Sequence, residues 1–302
     1  MQRQSLLLAT GAAFTLAACA SAPPQDAARV PAAFVSDRIE VVTRGSGPDV
    51  ILVPGLAAYR DVWAEAAGAL DDRYRLHLVQ VKGFAGVAPG ANAEGPVAAP
   101  VAEEIARYIR EADLDRPAVV GHSMGGSIGI MLAARHPESV GRLMVVDMMP
   151  FLGAMFGPPG TTAESVRPVA AQMRDSMLAR PAGSDGMLER MVAGMTRRDS
   201  MRSVLARYAR DSDRRTVANA FHELIVTDLR PELARITVPV AVLYVVPPNV
   251  PMSPAEFDAA VRQSYASAAA TARFTRIPDS NHYIQLDQPA LLVTEVDALM
   301  RQ

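Results

Sequence analysis

From about Arg38 onward the chain alternates between short β-branched runs and longer stretches whose apolar residues recur at helical spacing. The runs at 38–43, Asp49–Val53, Tyr74–Val81, Ala118–Gly121, Leu143–Asp147, Val240–Val246 and Ala272–Ile277 read as strands. Helical patterns fall between them, at about 60–70, 100–112, 124–135, 254–267 and 289–301. Such alternation predicts an α/β fold, a mostly parallel, doubly wound sheet with helices on both faces. It breaks between Pro150 and Ile236, where no strand pattern occurs and the chain reads as helical. The predicted organisation is therefore a core of residues 37–149 and 237–302 carrying a helical insertion, 150–236. Seven methionines between Met155 and Met201 lie in that insertion. Unbranched, polarizable side chains of this kind suit a lid over an apolar substrate, and equally suit the insert's own packing.

Composition changes the picture only at the edges. With 50% hydrophobic and 21% charged residues in a chain of 302, the protein can bury a large core, which excludes wholesale disorder. Thirty basic against 32 acidic residues give a net charge of −2, without the basic excess that nucleic-acid binding requires.

The first residues have the form of an address. Arg3 is followed by an uncharged apolar stretch, Leu6 to Leu16, too short to span a bilayer. It ends in Leu16-Ala17-Ala18-Cys19, which resembles a bacterial lipobox and contains the chain's one cysteine. That resemblance implies a signal peptide over 1–18, cleavage before Cys19 and a diacylglycerol on its thiol. The alternative is an ordinary secretory signal with an incidental cysteine. Ala20 and Ser21 follow, with no Asp, as in lipoproteins sorted to the outer membrane. Residues 19–36, rich in Ala and Pro, read as a tether. The expected location is the cell envelope, anchored by lipid to the outer membrane and facing the periplasm.

The chemistry concentrates in Gly121-His122-Ser123-Met124-Gly125-Gly126, between the β-branched Val119-Val120 and a helical pattern. A Gly-x-Ser-x-Gly turn from strand to helix needs almost no side chain two residues either side of the serine. Gly121 and Gly125 meet that condition, and the turn lifts the Ser123 hydroxyl clear of the sheet edge. A serine hydroxyl needs a base to take its proton. Of five histidines, His282 follows the last predicted strand, precedes the terminal helix and comes after Ser123 in chain order. A loop at the carboxyl end of a strand is where an open α/β sheet assembles its site.

With Val53-Pro54-Gly55-Leu56 and the His282 segment trailing Leu286-Asp287-Gln288-Pro289, these residues resemble an α/β-hydrolase of the alpha/beta-hydrolase-1 type over roughly 38–301. The resemblance implies the α/β-hydrolase fold, with a helical cap between the strand ending near Asp147 and the strand starting near Val240. It implies an oxyanion hole made by the backbone N–H groups of Met124 and Leu56. Pro54 stands where many relatives carry histidine, a departure that leaves backbone donors untouched. Relatives often place the triad acid after the strand at 240–246, where this chain reads Pro247-Pro248-Asn249. Others place it after the strand following the nucleophile, which points to Asp147. The alternatives are a purely structural Asp147, with Asp228 and Asn249 as lesser candidates for the acid.

The expected activity is a serine hydrolase that cleaves a carboxylic ester or related acyl compound through Ser123, His282 and Asp147. The expected substrate is a small, apolar acyl compound. No metal or organic cofactor is needed for that chemistry. The same triad would also serve a perhydrolase or haloperoxidase, a C–C hydrolase or an amidase. A non-catalytic envelope lipoprotein that retains the fold is the reading from a different class. Dehalogenases and epoxide hydrolases of this fold use an aspartate nucleophile, which Ser123 replaces. Oligomeric state is not legible in the sequence.

Overall fold

Asp147 and Val245 mark where two neighbouring strands stop, and they show how the sheet delivers residues to one edge. The computed structural model describes residues 34–179, 186–247, 250–268 and 270–302 (186–188 as backbone only). The proposed signal peptide, Cys19 and the tether up to residue 33 lie outside the described residues.

The strands are β1 (Ile39–Arg44), β2 (Asp49–Val53), β3 (Arg75–Val81), β4 (Ala118–His122), β5 (Arg142–Val146), β6 (Val240–Tyr244) and β7 (Ala272–Arg276). They pair in the order β1-β3-β2-β4-β5-β6-β7. β1 runs antiparallel to β3, and the other pairings are parallel. The carboxyl ends of β2, β4, β5, β6 and β7 therefore share one edge. β6 ends at Tyr244 rather than Val246 because the Val245 N–H leaves the ladder for the Asp147 side chain, 3.0 Å away. β5 ends at Val146 because Asp147 turns to a positive φ of 50°.

The helices are α1 (Ala64–Leu70), α2 (Ala98–Glu111), α3 (Met124–Arg135), α4 (Ala163–Ala179), α5 (Gly186–Ala193), α6 (Asp199–Asp211), α7 (Arg214–Val226), α8 (Pro254–Ser264), α9 (Ile284–Asp287) and α10 (Pro289–Met300). The inner strands β2 to β6 are buried on both faces, which explains why they read as nearly continuous apolar runs, whereas the edge strands β1 and β7 are largely half-buried or exposed. Successive residues point to opposite faces: Val119 and Val145 pack with α2 and α3, Val120 and Val146 with α1 and α10. Helices α4 to α7 and flanking 3-10 turns occupy the stretch between β5 and β6. Met173, Met177, Met195 and Met201 pack against apolar clusters there, whereas Met155 and Met191 are exposed.

Hydrogen bonds at several places bind this helical segment to the core. The Glu223 carboxylate of α7 accepts the N–H groups of Val97, Ala98 and Ala99 at 2.6, 2.7 and 2.8 Å, capping α2 from outside its own sequence. Farther along, the Asp213 N–H donates to the Gly83 carbonyl at 2.7 Å and the Gly86 N–H to that of Asp211 at 3.0 Å. At the amino-terminal side, Phe34 packs edge-on against Tyr108 of α2, with ring centroids 4.9 Å apart. No helix among the described residues is long and apolar enough to cross a membrane.

Candidate active site

β4 runs straight into α3 at Ser123, whose backbone sits at φ 54° and ψ −119°, a conformation that costs a non-glycine residue energy. The surroundings hold it there. Ser123 N–H donates to the Val146 carbonyl at 2.9 Å, and its own carbonyl accepts from Gly126 N–H at 2.8 Å. The two flanking glycines are sterically required. A Cβ on Gly121 would lie 2.0 Å from the Gly125 carbonyl oxygen, and one on Gly125 would lie 2.2 Å from that of Val53.

The Val53–Leu56 loop leaves the end of β2 beside this corner. A Cβ on Gly55 would lie 3.1 Å from Ser123 Cβ, so the bare backbone comes close to the hydroxyl-bearing residue. The Leu56 N–H has no acceptor among the described residues. Met124 is the first residue of α3, so the helix's own ladder leaves its N–H free. These are the two backbone N–H groups that the sequence resemblance assigns to an oxyanion hole.

His282 lies between β7 and the four-residue α9. Its Nδ1–H donates to Asp147 Oδ2 at 2.6 Å, while Asp147 Oδ1 accepts the Val245 N–H at 3.0 Å. Both carboxylate oxygens are engaged, and in the neutral imidazole the bond to Asp147 leaves Nε2 as the nitrogen without a proton. Asp147 itself is fixed by donating its N–H to the Leu243 carbonyl at 2.7 Å. No hydrogen bond joins Ser123 Oγ to the His282 ring. Their backbones are nonetheless joined through one residue. His122, next to Ser123, donates Nε2–H to the His282 carbonyl at 2.9 Å, and the two rings are 4.6 Å apart. Burial first, and the neighbouring His282 second, push the His122 imidazole well below its ordinary pKa, so it is neutral.

Among the other sequence-stated candidates, Asp228 is engaged by Arg230 at 2.6 and 2.8 Å. Asn249 lies outside the described residues. No group of three or more His, Cys, Asp or Glu side chains among the described residues is arranged to hold a metal ion. Sequence reasoning passed over the role of His122 and the carboxylate of Asp287. The latter accepts from Thr196 Oγ1–H, Arg197 N–H and Asn281 N–H at 2.6 to 3.1 Å. The one sequence signal for Asp287 was its place just ahead of Pro289 and the terminal helix.

Comparison with known proteins follows the same lines. A pimeloyl-(acyl-carrier protein) methyl ester esterase from Edwardsiella ictaluri is 28% identical over 65% of this chain and 74% of its own length. A protein of the same name from Nitrosomonas europaea is 32% identical over 37% of this chain, an alignment that spans 42% of that relative. The crystal structure of an enol-lactonase from Burkholderia xenovorans superposes with a TM-score of 0.69 at 18% identity, covering 87% of this chain and 96% of that one, a likeness of fold. The model of the alpha/beta hydrolase family matches residues 50–295, from β2 into α10, and the chain belongs to that family.

Proposed function

We propose that the protein is a serine hydrolase of small carboxylic esters, working through Ser123, His282 and Asp147. The observation that carries this reading is the Asp147–His282 hydrogen bond of 2.6 Å at the edge where Ser123 turns. Held with Nδ1 protonated, His282 takes the Ser123 proton on Nε2 as Oγ attacks the ester carbonyl. The developing oxyanion sits on the Leu56 and Met124 N–H groups. The imidazolium returns its proton to the departing alkoxide, leaving an acyl-serine. His282 then deprotonates water, the acid is released and Ser123 regains its proton. Relatives named as methyl ester esterases support an oxygen leaving group.

The test is hydrolysis of a chain-length series of nitrophenyl esters beside matched anilides. Esters cleaved by wild type and not by Ser123→Ala support the reading. Preferred cleavage of the anilides would make the protein an amidase instead.

In this reading the enzyme is carried by the envelope. Residues 1–18 are its signal and Cys19 its lipidated residue, supported by the Leu16-Ala17-Ala18-Cys19 motif. A single acyl chain binds a membrane only marginally, so stable anchoring takes more than one. Palmitate incorporation in cells that is lost in Cys19→Ser supports the anchor, and incorporation that persists contradicts it.

A further inference from the structure

Both chain neighbours of His282 are held by the inserted helical segment. On one side, Asn281 donates Nδ2–H to the Gly194 carbonyl at 3.0 Å and its backbone N–H to Asp287 Oδ2 at 2.8 Å. On the other, Tyr283 donates its N–H to the Met195 carbonyl at 3.0 Å. The turn joining α5 to α6 continues the contact. Thr196 Oγ1–H donates to Asp287 Oδ1 at 2.6 Å, and the Arg197 N–H reaches the two carboxylate oxygens at 3.0 and 3.1 Å. Thr196 is fully buried, and its hydroxyl also accepts the Arg198 N–H at 3.1 Å. The Asp287 carboxylate thus meets directed N–H and O–H donors from both the histidine loop and the insert, an arrangement that fixes geometry closely.

We propose that Thr196 and Asp287 form a latch by which the insert positions the base, and this rests on the reading of His282 as that base. The imidazole makes one ring hydrogen bond among the described residues, to Asp147, so the angle of Nε2 toward Ser123 also depends on where the 281–283 backbone is held, by His122 on the core side and by the insert on the other. That backbone is held on the insert side by Gly194, Met195 and, through Asp287, by Thr196. The insert is then more than a cover for substrate: it is a wall of the catalytic geometry. Thr196 and Asp287 are positioning residues and touch no reacting atom. A small displacement of a catalytic group costs rate without weakening substrate binding, because alignment matters most at the transition state.

The experiment compares Thr196→Val, which keeps the shape and loses the hydroxyl, with Thr196→Ser, which keeps the hydroxyl. Asp287→Asn serves as the second variant should Thr196→Val fold poorly. Nitrophenyl ester kinetics are read beside the downfield proton resonance of the His282 Nδ1–H, which reports the bond to Asp147 without any substrate. The latch predicts a kcat about tenfold lower in Thr196→Val with KM within about twofold, a broadened resonance, and near-wild-type behaviour in Thr196→Ser. Unchanged kcat and resonance in Thr196→Val, or equal losses in both variants, would overturn it. If wild type cleaves no ester, the hydrolase reading fails separately, and the resonance still decides: broadened in Thr196→Val supports the latch, unchanged overturns it.

Discussion

His282 Nδ1 and Asp147 Oδ2 lie 2.6 Å apart although 135 residues separate them in the chain. The proximity follows from parallel strands: β5 and β7 flank β6, and all three end at the same edge. Val245, leaving β6, holds the second carboxylate oxygen and stops Asp147 from rotating away. Replacing Asp147 by Asn keeps the size and offers an amide where Nδ1–H needs an acceptor. Asp147→Asn should lower kcat by about 10⁴ with KM little changed, as expected when the base loses its tautomer. Steady-state kinetics of this variant beside Asp228→Asn, which should match wild type, checks the assignment.

The corner at Ser123, the proposed nucleophile, should tolerate no added carbon. A methyl group on Gly125 would collide with backbone at 2.2 Å, which no rotamer relieves. Gly125→Ala should cost about 3 kcal/mol or more of stability and abolish ester cleavage. Thermal melting and activity measured together check this. A variant that melts and works like wild type would mean that the corner is wider than described.

Glu223 should matter for stability and hardly at all for chemistry. Its carboxylate satisfies the first N–H groups of α2, which would otherwise be buried without partners. Glu223→Ala should destabilise by about 2–4 kcal/mol, through orphaned donors and loss of a negative charge at a helix amino terminus. Below the melting transition, kcat and KM should stay close to wild type. Urea unfolding followed by ester kinetics separates the two effects.

Acid should weaken the fold through two buried imidazoles. Burial pushes His77 below its ordinary value of 6.5, against the opposing pull of the Asp49 carboxylate on Nε2. Tyr108 donates its hydroxyl to Nδ1 at 2.6 Å, which also favours the neutral ring. His122 is pushed down further, chiefly by burial. Below 6.5 the unfolded chain takes up protons that the folded chain refuses, so stability is full above that pH and declines as pH falls toward the folded values. The slope should approach about 1.4 kcal/mol per pH unit for each imidazole. Urea midpoints at pH 7.5 and 5.5 should show the loss, with a smaller difference in His77→Gln. Equal midpoints in wild type would contradict two neutral, buried rings.

The fold was legible because its inner strands are buried on both faces, which leaves continuous β-branched runs such as Val50–Val53 and Val119-Val120 between turn residues. Strand limits were less so. The ladder stops at Tyr244, in mid-run, for a reason that lies on another strand: the Asp147 side chain takes the next N–H. Gly121, Ser123 and Gly125 stood out because a sharp corner imposes residue types at fixed spacing. The supports of the site left no such trace. Thr196 meets Asp287 across 91 residues, and Glu223 meets Val97 across 126, in pairings that exist only once the insert has packed. Helix α9 is four residues long, too short to show a period. His122 looked like any residue inside the motif, and its bond to the His282 carbonyl is a product of tertiary structure alone.

The central claim is that the hydroxyl at the β4–α3 corner is activated by the histidine beside it. Covalent labelling by a fluorophosphonate probe, read by intact mass, tests this directly. One phosphonyl group on wild type, none on Ser123→Ala and strongly slowed labelling of His282→Ala are the expected results. Equal labelling of wild type and Ser123→Ala, or of wild type and His282→Ala, would contradict it.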